Sequence, residues 1–204
     1  MKFEYSLSLG NLIGKRKFTL ASGSPRRIEL LRKAGIEFEI KTPKIDEEKI
    51  LTSPEEYVLK LSKIKAESVL SEVESGIILG ADTIVVLNGE ILGKPNSREE
   101  AMLILSKLSN REHKVYTGLT LIDKDKNKII SDYECTKVKF KPFSNKEIDN
   151  YISTGEPLDK AGAYGIQNEG DFLVKSIEGP LDNVIGLPMK KLEKMLTRMV
   201  GEKK

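Results

Sequence analysis

The sequence predicts an α/β fold built on a mixed sheet flanked by helices. In the first half of the chain, strand-like and helix-like patterns alternate, as in units where a helix connects two strands. Asn88-Gly89, between two apolar runs, is a strong signal for a tight hairpin and so for antiparallel pairing. A polar turn at 123–127 separates two further strand patterns. The combination of strand–helix units with hairpins favours a sheet of mixed direction.

The first half of the chain carries clear signals for where its elements begin and end. Pro25 fits the first helical position, and Gly35 suits the position just after the helix. Ser53 and Glu56 form a capping box that opens the next helix. The predicted elements are, in order, a strand at 18–21, a helix at 25–34, a strand at 36–40, a helix from 54 to about 72, and two apolar runs within 76–87 that return through 91–92.

The second half continues the mixed order, without a repeat, a low-complexity tract or a linker. Two more capping boxes, at 97–100 and 144–147, open helices that end near 108 and 154. The remaining predicted elements are a strand pair at 115–122 and 128–140, a glycine-rich segment, a strand at 172–177 and a last helix from about 187. A chain of 204 residues is long enough for one large domain or for two small lobes around a shared cleft.

Composition limits the classes of partner. The chain is 39% hydrophobic and 32% charged, as expected for a soluble globular protein with a heavily charged surface. The net charge is only +3, and basic residues are mixed with acidic ones, so no nucleic-acid-binding patch is visible. No signal peptide and no apolar run long enough to span a bilayer are visible in the sequence, which favours a cytoplasmic location without membrane contact.

Cysteine and histidine usage limits the chemistry. The chain has one cysteine, Cys135, and one histidine, His113. An intramolecular disulfide and a cysteine-rich zinc site are therefore excluded, and neither a Cys/His catalytic pair nor a histidine metal cluster is expected. Any metal would be held by oxygen ligands, which points to magnesium or manganese.

The segment Ser-Gly-Ser-Pro-Arg-Arg at 22–27 is the most informative piece of the chain. Ser24 is a good N-cap, so Arg26 and Arg27 fall in the first turn of the helix, where they oppose the helix dipole. Two cations beside free backbone N–H groups describe a site for an anion, most simply a phosphate. The alternative is a capped helix with two solvated arginines.

Two charged residues interrupt apolar patterns. Asp82 and Thr83 lie inside the most apolar strand region of the chain. A carboxylate there must be paired, bound to metal or turned to a cleft, unless the chain makes a tight turn at Gly80. Lys65 falls in the apolar row of its helix, so its ammonium group either reaches a cleft anion or extends to solvent.

Three weaker signals complete the set. Lys94 follows a hairpin strand, and Glu47 belongs to an acidic cluster at 46–48 whose default interpretation is a solvated loop. Gln167 ends a loop with two glycines, where its amide could face the edge of a base. Together with the features above, these are the parts needed to cut a phosphoanhydride: cations for phosphates, carboxylates for a metal and a water, and a pocket for a base. The absence of a Gly-x-x-x-x-Gly-Lys-Ser/Thr loop argues against a P-loop NTPase.

The sequence resembles the Maf family of nucleotide pyrophosphatases, first named for an effect on septum formation. The shared motifs are Ser-Gly-Ser-Pro-Arg-Arg at 22–27, Gly-Ala-Asp-Thr at 80–83, Gly-Lys-Pro at 93–95, Asp-Lys-Ala-Gly-Ala-Tyr-Gly-Ile-Gln at 159–167 and Gly-Leu-Pro at 186–188. The similarity covers roughly residues 18–197 in the family's order and spacing. It implies a single Maf-like domain at 18–204 after an N-terminal extension at 1–17, with an elongated, two-lobed fold and a cleft between the lobes.

The resemblance also implies roles for individual residues. Asp82 would be the proton acceptor that activates water, or a metal ligand that positions it. Glu47 would be the second carboxylate of a site for Mg²⁺ or Mn²⁺. Residues implied to bind the phosphate chain are Ser22, Arg26, Arg27, Lys65 and Lys94. Residues implied to affect substrate choice are Arg26, Thr83 and Gln167.

The motif that ends at Gln167 resembles the branch of the family that acts on dTTP, UTP and modified pyrimidine nucleotides. The implied reaction gives the nucleoside monophosphate and pyrophosphate, a nucleotide-pool house-cleaning activity that could coexist with a role in cell division arrest. The competing hypothesis is a non-catalytic module that senses nucleotides or regulates division by binding a partner through the same cleft. A homodimer is compatible with the sequence, which does not fix the oligomeric state.

Overall fold

The computed structural model describes residues 8–45 and 52–201, and these form a mixed α/β fold. The strands are β1 Phe18–Ala21, β2 Glu39–Ile40, β3 Ile77–Leu87, β4 Glu90–Leu92, β5 Glu112–Asp123, β6 Lys128–Phe140 and β7 Val174–Glu178. The α-helices are α1 Ser8–Ile13, α2 Pro25–Lys33, α3 Pro54–Glu67, α4 Arg98–Leu108, α5 Asn145–Ser153, α6 Leu181–Ile185 and α7 Met189–Val200. The strands make a 7-stranded sheet in the order β2-β1-β3-β5-β6-β7, with β4 paired to β3.

The chain divides into two compact units. Of the described residues, unit 1 comprises those within 1–82, 117–134 and 186–204, and unit 2 comprises those within 83–116 and 135–185. Strands β3, β5 and β6 each contribute residues to both units. In unit 1, β1 runs parallel to both β2 and β3, while in unit 2, β4 runs antiparallel to β3 and β7 antiparallel to β6. The sheet is therefore mixed, as the sequence predicts.

Helix α3 of unit 1 packs unusually closely on the sheet at two glycines. A Cβ at Gly80 on β3 would overlap the carbonyl oxygen of Ser62, and a Cβ at Gly118 on β5 would overlap that of Val58. The helix backbone therefore lies directly on the strand backbones at these points. The Ser62 hydroxyl also lies 2.9 Å from the Thr120 hydroxyl in a buried contact. We call Gly80 and Gly118 the glycine seat of α3.

The N-terminal segment is packed into unit 1. Helix α1 contacts α7, and its Leu9 and Ile13 are buried. Arg16 Nη1 lies 3.2 Å from Oδ2 of Asp123, a fully buried carboxylate. The described part of the extension is thus held by apolar packing and by an ion pair.

Unit 2 has its own apolar core between β3–β6 residues and helices α4 and α5. The buried core residues are Val85, Leu87, Leu92, Ala101, Ile104, Leu105, Leu108, Val115, Val138, Phe140, Ile148, Tyr151, Ile152, Ala163, Tyr164 and Leu173. Phe140 makes edge-to-face ring contacts with His113 and Tyr164, both at 4.8 Å between centroids. This aromatic cluster fastens the glycine-rich segment of unit 2 to the sheet.

Several predicted local structures are confirmed. Asn88 and Gly89 both have positive φ, at 51° and 85°, as a type I′ hairpin turn requires. The capping box of Ser144 and Glu147 is reciprocal, with the hydroxyl accepting from one backbone N–H and the carboxylate accepting from the other. Gly35 has φ +69° after the end of α2, as expected for a glycine at that position.

Other boundaries differ from the prediction, for identifiable reasons. The second strand covers only 39–40 because the backbone N–H of Ile36 bonds to the carbonyl of Leu31 and closes the end of α2. Helix α3 ends at Glu67, and a 3₁₀ turn follows at Leu70–Glu72. The last predicted strand begins at 174, since a 3₁₀ turn occupies Asn168–Leu173. The short helices α1 and α6 have no counterpart in the prediction.

The glycine seat predicts a large cost for a single methyl group. Gly80→Ala should lower the free energy of unfolding by about 3 kcal/mol, because a Cβ there meets backbone atoms of α3 that cannot rotate away. Gly93→Ala is the control, since nothing lies within 4 Å of a Cβ at that site, and it should change stability by less than about 0.5 kcal/mol. Urea unfolding of both variants measures the difference. Equal stabilities would show that α3 does not depend on the seat.

Candidate active site

Asp82 lies inside β3 rather than in a turn. Its strand is continuous from 77 to 87, so the tight turn considered for this position is wrong. The residue is 5% exposed, and apolar residues precede and follow it along the strand. Placing a carboxylate there costs several kcal/mol unless other groups compensate its charge.

Lys65 supplies one compensating group. Its Nζ lies 2.5 Å from Asp82 Oδ1, and its side chain is only 14% exposed, so the ammonium group does not extend to solvent. Lys65 is in the last turn of α3, next to Ala66, whose backbone N would be 2.7 Å from a Cβ at Gly80. The seat at Gly80 therefore brings the last turn of α3 close enough for the lysine to reach the aspartate two residues further along β3.

The second oxygen of Asp82 is different. Oδ2 is buried and has no hydrogen-bond partner among the described residues. A buried neutral group without a hydrogen-bond partner lowers the stability of a protein by about 1–3 kcal/mol, and a charged one lowers it by more. Such an atom is suited to receive a proton from a water molecule or to bind a cation.

The loop after β1 forms a second cluster in unit 1. The Ser22 hydroxyl, on a buried residue, accepts hydrogen bonds from the Ser24 backbone N–H at 3.2 Å and from Arg27 Nη1 at 3.0 Å. Arg27 Nε donates to the carbonyl of Gly186 at 2.9 Å. The arginine thus bridges the loop and the segment that carries the Gly-Leu-Pro motif, so its guanidinium group is fixed in direction.

Helix α2 begins at Pro25, so Arg26 lies in its first turn as predicted. Ser24 occupies the N-cap position, but its side chain makes no capping hydrogen bond, and no acidic residue lies in the first turn. Arg26 is half-buried in that turn. In the parallel pairing of β1 with β3, Ala21 is opposite Gly80, so this loop leaves β1 beside the segment that carries Asp82. Cations, helix N–H groups and the buried carboxylate therefore share one end of the parallel strands.

Three predicted site residues belong to unit 2: Thr83, Lys94 and Gln167. Thr83 directly follows Asp82 on β3 and is half-buried. Lys94 is exposed, and the carbonyl of the preceding Gly93 accepts a hydrogen bond from the Gly162 backbone N–H at 3.0 Å. Gln167, the last residue of the motif at 159–167, is half-buried in an irregular segment.

Two buried polar rings support that segment. His113 Nε2 lies 2.8 Å from the hydroxyl oxygen of Tyr164. Burial lowers the pKa of His113 to about 4 and raises the pKa of Tyr164, so both side chains are neutral near neutral pH. The pair is a hydrogen bond between neutral groups inside an apolar core.

Glu47, the predicted second carboxylate, lies outside the described residues, as does the rest of the acidic cluster. Within 8–45 and 52–201, no three acidic, histidine or cysteine residues come together as a metal cluster. The buried Oδ2 of Asp82 nevertheless fits a hard divalent cation, because magnesium commonly takes one or two carboxylates and completes its shell with substrate phosphates and water.

Some features of the site are not evident from the sequence. Gly118 gives a weak signal, an isolated glycine in a strand pattern, which indicates close backbone approach. The bond between Arg27 and Gly186 joins residues far apart in sequence, so no local pattern announces it. In the part of the chain that the structure describes, no helix is both long and apolar enough to cross a membrane.

Comparison with known proteins gives consistent results. Residues 17–199 match the family model described as Maf-like protein. A dTTP/UTP pyrophosphatase of Carboxydothermus hydrogenoformans is 48% identical over 180 residues, which are 88% of this chain and 97% of the relative. A dTTP/UTP pyrophosphatase of Dictyoglomus thermophilum is 43% identical over 187 residues, covering 91% and 97% respectively. The Ham1 protein of Staphylococcus aureus has a similar fold, with a TM-score of 0.50, 13% identity and coverage of 90% of this chain and 100% of that one.

The ion pair in unit 1 predicts a specific pattern of stability. Lys65→Met should lower the free energy of unfolding by about 3–5 kcal/mol, because it leaves the Asp82 carboxylate buried without a compensating charge. Adding Asp82→Asn to Lys65→Met should restore much of the loss, since the uncompensated charge is then gone. Urea unfolding of the two single variants and the double variant measures this coupling.

Lys63→Met is the control for that cycle. Lys63 lies on the same helix but is exposed and pairs with the exposed Glu67 at 3.7 Å, so its removal should cost less than about 1 kcal/mol. Equal losses in Lys63→Met and Lys65→Met would contradict the buried pair.

Proposed function

The chain belongs to the Maf family, and on that premise we propose that it is a nucleoside triphosphate pyrophosphatase that hydrolyses dTTP and UTP to the monophosphate and pyrophosphate. The observation that carries the proposal is Asp82, a buried carboxylate with one oxygen paired to Lys65 and the other left without a partner among the described residues. A fold alone requires no such group, and a more stable strand would have an apolar residue there.

Asp82 is proposed to accept the proton of the attacking water. The water oxygen forms a bond to the α-phosphorus while one proton of the water passes to Oδ2. The P–O bond between the α- and β-phosphates breaks, and pyrophosphate leaves with its negative charge. Lys65 balances the charge of the aspartate before the reaction, and its position beside Oδ1 leaves Oδ2 as the oxygen for this role. General-base catalysis of this kind contributes about 10²–10⁴-fold to a rate.

The cations are proposed to hold the phosphate chain. The first turn of α2 contains Arg26 and no acidic residue, so the start of this helix is suited to a polyanion. Arg27, fixed by Ser22 and Gly186, contributes a guanidinium group of set direction. Lys94 is exposed and can reach a ligand from solvent. Positive charge near the leaving group stabilises the transition state more than the substrate.

A divalent cation, magnesium or manganese, is part of the proposal. Asp82 Oδ2 would be a ligand in the alternative role of this carboxylate, in which it positions the water through the ion instead of taking its proton, and Glu47 is the candidate for the second carboxylate. When bound, the ion would polarise a phosphoryl oxygen and neutralise part of the developing charge. The chain offers oxygen ligands for it, with a single histidine that is already buried against Tyr164.

Gln167 is proposed to read the base. Uracil and thymine present an acceptor at O4 and a donor at N3, which match the N–H and the oxygen of one amide. Cytosine reverses both groups, so an amide with a fixed orientation would leave them unpaired. Arg26 and Thr83 are the other residues proposed to affect substrate choice.

The second candidate function is a non-catalytic module that senses nucleotides or regulates division. Such a module requires cationic side chains that bind phosphate, but it does not require a buried carboxylate with only one paired oxygen. The carboxylate favours the enzyme, and a role in division could coexist with it.

Asp82→Asn tests catalysis. The wild type should release pyrophosphate from dTTP, and the variant should lose at least about 10²-fold in kcat while remaining folded. Pyrophosphate is detected as orthophosphate that appears only after added inorganic pyrophosphatase. Asp149→Asn, which removes an exposed carboxylate paired with Arg98, is the control and should retain full activity. Near-normal turnover by a folded Asp82→Asn variant would refute the assignment.

Metal removal tests the cofactor. Excess chelator should abolish pyrophosphate release from dTTP, and added Mg²⁺ or Mn²⁺ should restore it, because the leaving group carries charge that the cation neutralises. Circular dichroism in chelator should be unchanged, since the described core is held by apolar packing. Undiminished activity in chelator would contradict this part of the proposal.

Base selection tests the role of Gln167. We expect kcat/KM to be much higher for dTTP and UTP than for CTP and the purine triphosphates, and uracil nucleotides modified at C5 should be accepted because C5 lies outside the hydrogen-bonded pair. Gln167→Leu should lower kcat/KM for dTTP towards the value for CTP. Equal kcat/KM for dTTP, CTP and GTP in the wild type would end the selectivity proposal and leave the pyrophosphatase proposal standing.

A further inference from the structure

We propose that Tyr151 and His113 are positioning residues for base selection, because they hold in shape the turn at 165–170 that carries Gln167. The inference rests on the proposed function, since it assigns a cause to the selectivity of the same site. Both residues lie in the core of unit 2 and neither is part of the motifs that carry the family resemblance.

Tyr151 closes the two ends of the turn. Its hydroxyl oxygen accepts a hydrogen bond from the backbone N–H of Gly165 at 2.9 Å. A Cβ at Gly170 would lie 2.7 Å from the same hydroxyl and would overlap the carbonyl oxygen of Gly165. The ends of the turn therefore touch each other and the tyrosine, with Gln167 between them. We call this contact of Gly165, Gly170 and Tyr151 the neck of the turn.

His113 fixes the residue just before the neck. Its imidazole is 2% exposed and hydrogen-bonds the Tyr164 hydroxyl, while Phe140 packs edge-on against both rings. Tyr164 is followed directly by Gly165, so a rotation of the tyrosine would move the neck. Both hydrogen-bonding groups are buried, which makes the loss of either partner costly and the geometry well defined.

The chain before Tyr164 is fixed as well. Gly162 has φ +69°, and a Cβ there would lie 2.8 Å from a methyl carbon of Val85 on β3. Its backbone N–H bonds to the carbonyl of Gly93, and Ala163 keeps a left-handed conformation with φ +57°. The segment that leads into the turn is thus pressed onto the sheet and tied to the residue before Lys94.

The proposed base selection depends on this rigid backbone. A glutamine amide can turn over and present its donor and acceptor in the opposite order, which would match cytosine as well as uracil. Hydrogen bonds from neighbours such as Arg26 or Thr83 would set the orientation of the amide, and they can do so only if the backbone holds Gln167 at a constant position. The neck and the His113–Tyr164 pair fix the backbone on the N-terminal side of Gln167 and at both ends of its turn.

Tyr151→Phe is the direct test, because it removes one oxygen and keeps the ring in the core. We expect the ratio of kcat/KM for dTTP to that for CTP to fall about threefold to tenfold, the size expected from one hydrogen bond, with the change mainly in KM for dTTP. Ile152→Val is the matched control. It loosens the core at the next residue of α5, so it should lower stability but leave the ratio unchanged.

His113 offers a test by rescue. His113→Leu should lower the same ratio, because the Tyr164 hydroxyl loses its partner. His113→Gln should recover part of the selectivity, since the amide can replace the ring nitrogen as hydrogen-bond partner. A merely structural role would lower activity on all nucleotides equally and would show no difference in selectivity between the two variants.

Hydrogen–deuterium exchange provides a readout that does not depend on activity. Peptides that cover 165–170 should exchange faster in Tyr151→Phe than in the wild type and in Ile152→Val. A selective wild type whose Tyr151→Phe variant keeps both its selectivity and its slow exchange would overturn the positioning role. A wild type that hydrolyses dTTP and CTP equally well would instead refute the proposed selectivity, and the role of both residues with it.

Discussion

The close contact of α3 with the sheet is the constraint on which the site in unit 1 depends. Without side chains at Gly80 and Gly118, the helix backbone lies on β3 and β5, and the buried hydroxyls of Ser62 and Thr120 meet across the interface. At this separation, a lysine in the last turn of α3 reaches an aspartate inside β3. The two glycines thus allow the close packing in which Lys65 and Asp82 form an ion pair. A larger residue at either position would push α3 away from the sheet and move the two charges apart.

The ion pair is incomplete in a way that suits chemistry better than stability. Lys65 compensates the charge of Asp82 through one oxygen, and the other oxygen has no partner within the described chain. Proteins rarely leave such an atom buried, because no hydrogen bond offsets the free-energy cost of removing it from water. Around it, the loop after β1 adds a helix start free of acidic residues and an arginine held in place by Ser22 and Gly186. A reaction that moves a proton and expels a polyanion would use all of these groups.

The sequence predicts most of this fold because its local signals are strong. Proline and serine at helix starts, the Asn88-Gly89 turn and the apolar runs identify the main helices and strands within a few residues. Asp82 and Lys65 can be found as charges in apolar patterns, but the sequence leaves open whether each is buried, since a turn or an extended lysine would satisfy the same pattern. The structure decides this through the glycine seat, which depends on residues 80 and 118 lying on adjacent strands. The neck at Tyr151 is likewise invisible locally, because a tyrosine on a helix face predicts only burial.

The proposed role of Asp82 is tested most sharply by a crystal structure of the protein with a non-hydrolysable α,β-imido analogue of dUTP and Mg²⁺. We expect a water molecule or a cation within bonding distance of Asp82 Oδ2, with the triphosphate held by Arg26 and the N–H groups at the start of α2. A complex in which the triphosphate binds elsewhere, or in which Oδ2 stays buried without any contact to water, metal or ligand, would contradict it.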